Sequence, residues 1–165
     1  MNNDGSDIFE KELYELTPEQ ASEVLNAFLE EEREVFRTLK IEGINLDYSK
    51  DSVVRLFKHA INEIRASGKP ESQYDHVWSL RLAYYFGEAL KKIANSLEWG
   101  IGNPDYAFAN HPVIAGFRKY QEAALITIAK NIITGVVFDG KGESIIIHAV
   151  DAWFEDAELT GRRKR

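Results

Sequence analysis

Arg81, Tyr84, Tyr85 and Glu88 stand at i, i+3, i+4 and i+7 within Val77–Leu90, a stretch that carries no other charge. At helical spacing all four share one face. Arg81 and Glu88 lie two turns apart, about 10 Å along a helix axis. They are too far apart to pair directly, so each must meet a tyrosine hydroxyl or a neighbouring helix. Two arrangements answer that need. One is a satisfied internal network, since buried charge is tolerated only when paired and hydrogen-bonded. The other is a small polar pocket of an enzyme or ligand-binding domain, since odd charges in an apolar element often mark sites. His111, in the loop Asn110-His111-Pro112, belongs to that candidate pocket. A loop histidine beside a rigid turn is a better site candidate than a core one.

Other chemistry finds less support. His59 and His148 sit in helical or apolar surroundings and read as structural imidazoles, while His76 falls near a helix start. No HxH or HExxH spacing is present, so no metal is expected. There is no cysteine and no G-x-S-x-G elbow to mark an activated nucleophile. Gly100-Ile101-Gly102-Asn103 resembles the start of a dinucleotide fingerprint but lacks the third glycine and the βαβ setting, and Pro104 favours a turn. Asp139-Gly140-Lys141-Gly142 lacks the Walker pattern. No cofactor is expected.

Surface charge points elsewhere. The formal net charge is −7, and residues 1–40 hold eleven acidic and four basic side chains, while the remainder is balanced at sixteen of each. The whole excess therefore lies on the N-terminal segment and first helix. Glu30, Glu31, Glu32 and Glu34 would form an acidic surface able to steer a basic partner. Nucleic acid is disfavoured as a main ligand, because phosphate contacts need cationic surface. Trp99, Tyr106, Phe108, Phe117 and Tyr120 surround a turn region, either as core filling or as interface anchors. Trp99 and Tyr106 are the two assigned to a partner.

The elements that position these groups follow from periodicity and caps. Residues 1–16 read as a loose arm. Thr17-Pro18-Glu19-Gln20 is a helix start with a capping box. Ala21, Val24, Leu25, Phe28, Val35, Phe36 and Leu39 form its apolar stripe, with Glu30-Glu31-Glu32 turned outward and Gly43 as its stop. Ser49 opens a second helix that Ser67-Gly68-Lys69-Pro70 ends. The third helix, about residues 75–95, is apolar nearly all round and hence central. Gly87 inside it costs on the order of 1 kcal/mol relative to alanine, which implies close approach of another backbone. Residues 98–101 are expected as a strand, with 106–109 and 113–116 pairing to it and Pro112 holding that strand at an edge. A fourth helix is expected over residues 117–133, an extended piece at 136–138 and a hairpin-like turn at 139–142; residues 143–158 allow either a strand at residues 144–148 or a fifth helix, of which the helix is preferred. Gly161-Arg162-Arg163-Lys164-Arg165 closes a flexible basic tail from residue 159. The expected fold is mainly helical α+β: four or five helices around a central one, with two or three short strands, as one domain of 165 residues.

Leu82-Ala83-Tyr84-Tyr85-Phe86-Gly87-Glu88-Ala89-Leu90, Glu98-Trp99-Gly100 and Asn110-His111-Pro112-Val113-Ile114-Ala115-Gly116-Phe117 together resemble small bacterial proteins that include immunity proteins of polymorphic and contact-dependent toxin systems. The resemblance covers residues 82–117 and transfers no catalytic residue. It implies a bacterial, non-enzymatic protein-binding module that occludes a toxin. Charge adds that the toxin domain would be basic. A structural homodimer is a third reading. No apolar run reaches the roughly 18 residues of a membrane span. The first seven residues lack the order of a secretory signal, so a cytoplasmic location is expected.

Overall fold

The computed structural model describes residues 13–119 and 121–162. The expectations for residues 1–12, Tyr120 and residues 163–165 lie outside them.

Helix α1 (Pro18–Thr38) begins as its sequence requires. Thr17 Oγ1 accepts from the Gln20 N–H at 3.2 Å, and Gln20 Oε1 accepts from the Thr17 N–H at 3.0 Å. These two bonds satisfy two of the donors that a helix start leaves free. The helix stops at Leu39, before Gly43. Gly43 instead turns the chain between Ile41 and Ile44, which form an isolated antiparallel bridge. Helix α2 (Lys50–Ser67) is capped by Ser49 and closed by Gly68 in the left-handed region.

Helix α3 (Val77–Ile93) touches each of the other four helices. Leu82 through Gly87 are buried without a break, as are Ala89 and Leu90. The central position expected from its composition is therefore what the fold shows. After it come strands β1 (Glu98–Ile101), β2 (Pro112–Ala115) and β3 (Glu122–Ala123), then helices α4 (Leu125–Val137) and α5 (Ser144–Gly161). The sheet is antiparallel in the order β1-β2-β3, with Trp99 opposite Ile114 and Ile114 opposite Ala123. The architecture is mainly helical α+β, with five helices and three strands among the described residues. No helix is long and apolar enough to cross a membrane among those residues.

Several boundaries differ from expectation for local reasons. β2 is the central strand, not an edge. Pro112 is tolerated because it is the strand's first residue, opposite Ile101 at the end of β1. Residues 106–109 form turns rather than a strand. The carbonyl of Phe108 crowds Gly102, where an added Cβ would lie 1.8 Å from it. That close approach accounts for the second glycine of Gly100-Ile101-Gly102. The fourth helix starts at Leu125, since Ala123 pairs with Ile114 and the Gly116 N–H closes a loop onto the Gln121 carbonyl at 3.2 Å. Val136 and Val137 are helical, and residues 139–142 link two helices rather than two strands. Leu13 is buried, and Asn110 Nδ2 donates to the Leu13 and Leu16 carbonyls at 2.7 and 3.1 Å. So residues 13–16 are docked, unlike the loose arm expected for them. Residues 159–161 belong to α5 rather than to a tail.

Gly87 is explained by a side chain, not a backbone. The Trp99 indole lies against the helix there, and an alanine Cβ at residue 87 would sit 2.2 Å from Trp99 Cζ2. The cost of a mid-helix glycine is about 1 kcal/mol. Overpacking a rigid ring typically costs about 1–3 kcal/mol, and loss of the ring's hydrogen bond adds to it. The steric term wins. Gly87→Ala is expected to lower the unfolding free energy by about 2 kcal/mol in denaturant titration, despite alanine's better helix propensity. Adding Trp99→Leu should recover part of that loss, giving a strongly non-additive double-mutant cycle. Additive losses would mean that the indole does not depend on the glycine.

Candidate functional site

The polar face of α3 is met mainly by α1, β1 and the connector between α1 and α2. Glu88 Oε1 accepts from Trp99 Nε1 at 2.9 Å and from Lys91 Nζ at 3.0 Å. Its carboxylate thus binds β1 to α3 and holds the indole over Gly87. Trp99 is only partly exposed, edge-on to Phe28 at 5.4 Å and stacked over Tyr84 at 6.5 Å. The expected exposed anchor is therefore part of the core margin, because its ring has the α3 surface to cover and its N–H has a carboxylate.

Tyr85 is buried and fully engaged. Ser52 Oγ gives its only proton to the Ser49 carbonyl at 2.8 Å. Tyr85 must then donate to Ser52 Oγ, at 2.8 Å, while accepting from the Tyr48 N–H at 2.8 Å. A chain of donors runs from Tyr48 through Tyr85 and Ser52 to Ser49. Burial raises the Tyr85 phenol above its ordinary range, and the Ser52 bond opposes that shift. Tyr48 stacks on Tyr85 at 4.6 Å with φ of 62°. A non-glycine aromatic in the left-handed region is uncommon and costs on the order of 1–3 kcal/mol. The stack and the N–H bond hold it there. Nothing in residues 44–48 foretold this conformation, since only the tertiary contact to Tyr85 imposes it.

Tyr84 packs between aromatic neighbours. It stacks on Phe36 at 5.6 Å and meets Phe28 edge-on at 6.3 Å. Burial raises its phenol, with the Glu88 charge adding to the shift. His111 lies elsewhere, buried at the start of β2 between Tyr14 and Phe108, with ring centroids 5.3 and 5.8 Å away. Its Nδ1 lies 3.0 Å from the Ala109 carbonyl. Tyr84 thus shares Phe36 with Tyr85 and Trp99 with Glu88, while His111 keeps separate neighbours at the start of β2. The other histidines are scattered: His59 edges Trp78, His76 lies against Tyr74 and His148 is exposed. No group of three potential metal ligands occurs among the described residues.

Glu32 is the main surprise. It was expected on the acidic surface, but it is only 3% exposed. It stands four residues after Phe28 and four before Phe36, both of which face α3, so it lies in the apolar stripe. That spacing is the signal that the run Glu30-Glu31-Glu32 conceals. Burial raises its carboxyl to about 7, with Arg81 pulling it down and Glu31 pushing it up. The compensation is incomplete. Glu32 Oε2 and Arg81 Nε have no hydrogen-bond partner among the described residues, and the Arg81 guanidinium lies 5.3 Å from the Trp78 ring centroid. Glu30, Glu31 and Glu34 are exposed as expected, although Glu34 is already paired with Arg37 at 3.2 Å. Tyr106 is exposed, and its hydroxyl donates to Gln121 Oε1.

One open groove of about 450 Å³ lies beside this assembly, lined by Phe36, Lys40, Ile41, Ile44, Leu46 and Tyr48 among others. None of the residues expected to form a pocket lines it. Compared with family models, with curated proteins and with solved structures, the chain finds no match.

The Glu32 carboxyl binds a proton more tightly in the folded chain than in the unfolded one. Stability from this group is complete below about pH 4.5 and is lost as pH rises toward about 7. The loss should be roughly 2 kcal/mol, less than the full shift implies, because solvent and Arg81 relax around the charge. Glu32→Gln keeps the shape and removes the titration. Denaturation at pH 4.5 and pH 8 should therefore show a smaller stability drop for the variant than for the parent. An identical drop in both chains would place the titration elsewhere.

Proposed function

We propose that the chain is a non-enzymatic protein-binding module whose acidic α1 face receives a basic protein partner. The observation that carries this reading is the free charge on that face. Glu19, Glu23 and Glu30, spaced by four and seven residues, share one exposed stripe, with exposed Glu31 beside it. None of the four has an ion-pair partner among the described residues. Charge that satisfies no internal contact remains available to steer association. Exposed Tyr106 supplies an aromatic contact on the 102–111 loop.

The engagement of Tyr84, Tyr85 and Glu88 by packing and hydrogen bonds supports a binder over an enzyme built on that stripe. The resemblance over residues 82–117 adds a specific partner class, the toxin domain of a bacterial toxin–immunity pair. Occlusion would then be the mechanism, in the bacterial cytoplasm. The acidic face gives fast, selective encounter, and desolvated aromatic contacts give residence.

Capture from a lysate of the source cells, with the chain immobilised at 50 mM and at 500 mM salt, tests this. A retained basic protein should be lost at high salt. It should also be lost when Glu23→Lys, Glu30→Lys and Glu31→Lys are combined, while the circular dichroism of the variant stays that of the parent. Each reversal should weaken binding by roughly three- to tenfold, mainly through the association rate. Retention indifferent to both salt and the three reversals would remove the acidic face from the function, and recovery of only this chain would point to self-association.

A further inference from the structure

We propose that the groove between the end of α1 and Tyr48 binds a small amphiphilic carboxylate, its apolar body against Phe36, Ile41, Ile44, Leu46 and Tyr48 and its charge on Lys40. This site is separate from the acidic face of α1 and does not depend on it. Three features on the groove support it.

Size comes first: about 450 Å³ falls within the usual range for small-molecule sites. Second is charge. Lys40 is the one charged residue in the lining, and Lys92 holds its Nζ 4.4 Å from the Tyr48 ring centroid. Neither lysine has an ion-pair partner among the described residues. Lys40 thus carries the charge of the lining, and Lys92 adds a second ammonium, seated on the outer Tyr48 ring, in a chain of net charge −7. Glu42, Asp47 and Glu88 are the nearby acids, and all three lie outside the lining. Glu42 lies on the exposed turn, and Asp47 Oδ1 accepts from the Ser49 N–H at 2.9 Å. An anionic head is the complement of that field. Asn45, also in the lining, offers an amide donor to the same head.

Third is pre-organisation. The Ile41–Ile44 bridge holds one wall, with the Ile44 N–H donating to the Ile41 carbonyl at 3.1 Å. Tyr48 is held in its left-handed conformation by Tyr85. Strained residues kept in place by their surroundings recur at ligand clamps. Walls that are already ordered lose little freedom when a ligand enters.

Decanoate, kept below its micelle concentration, is the probe, with decanol and decyltrimethylammonium as head-group controls. Amide NMR titration of the full chain should give saturable shifts concentrated at residues 36–48. Decanoate should bind at least threefold more tightly than decanol, and decyltrimethylammonium more weakly than either. Lys40→Met should weaken decanoate by about threefold, as loss of one exposed ion pair does, and leave decanol unchanged. Lys92→Met should act in the same direction. Both lysines are at the surface, so their variants keep the fold. Ile44→Trp, which fills the groove, should block decanoate and decanol alike. Shifts that fail to saturate or scatter over the surface would overturn the proposal. So would indifference to the head group, or a decanoate affinity unchanged in Lys40→Met.

Discussion

Trp99 can lie on α3 only because residue 87 has no side chain, and much of the structure depends on that contact. The indole spans from the first strand to the central helix, and its N–H is satisfied by Glu88, one residue beyond the glycine. A single side chain therefore sets how close the sheet comes to the helices. Phe28 and Tyr84 then close around the ring, which brings α1 into the same cluster. Through Ile114, opposite Trp99, the register of the sheet is tied to the same point. The glycine's cost in helix propensity is offset by the packing of the half-buried indole and its bond to Glu88.

Around this contact the polar stripe of α3 meets several neighbours. Glu88 serves the indole, Tyr85 closes a chain of hydrogen bonds to the start of α2, and Tyr84 is one ring in an aromatic stack. Glu88 and Tyr85 meet the rule that buried polar atoms find partners. Arg81 does so least well. Its cation rests beside Trp78 and near Glu32, yet the buried carboxyl keeps an oxygen unbonded. Opposite charges that approach without bonding do not recover the desolvation of either. This is why the proton on Glu32 is held so much more tightly than on a surface glutamate.

The outer surface is organised by sign. Free carboxylates line the exposed side of α1, whereas the groove at that helix's end has only a lysine in its lining and a second lysine beside Tyr48. The two proposals use different parts of the same helix: the basic partner would meet the carboxylates along its length, and the amphiphilic carboxylate would meet the recess at its C-terminal end.

What the sequence determined by itself is local. Caps at Thr17 and Ser49, the left-handed stop at Gly68, the apolar α3 and the strand at residues 98–101 all follow from backbone chemistry and short-range periodicity. These interactions reach no further than about one turn, so they are legible in residue order. Glu32's burial was legible in part, from its spacing to Phe28 and Phe36, but was hidden by the two surface glutamates before it. The tertiary structure decided the rest. Ala123 could have continued a helix face and instead pairs with Ile114; Tyr48 takes a strained conformation because Tyr85 receives its N–H; Trp99, free to be an exposed anchor, is drawn in by Gly87 and Glu88. In each case several local states are nearly equal in energy, and the contact that chooses among them comes from a residue distant in the chain or from another element.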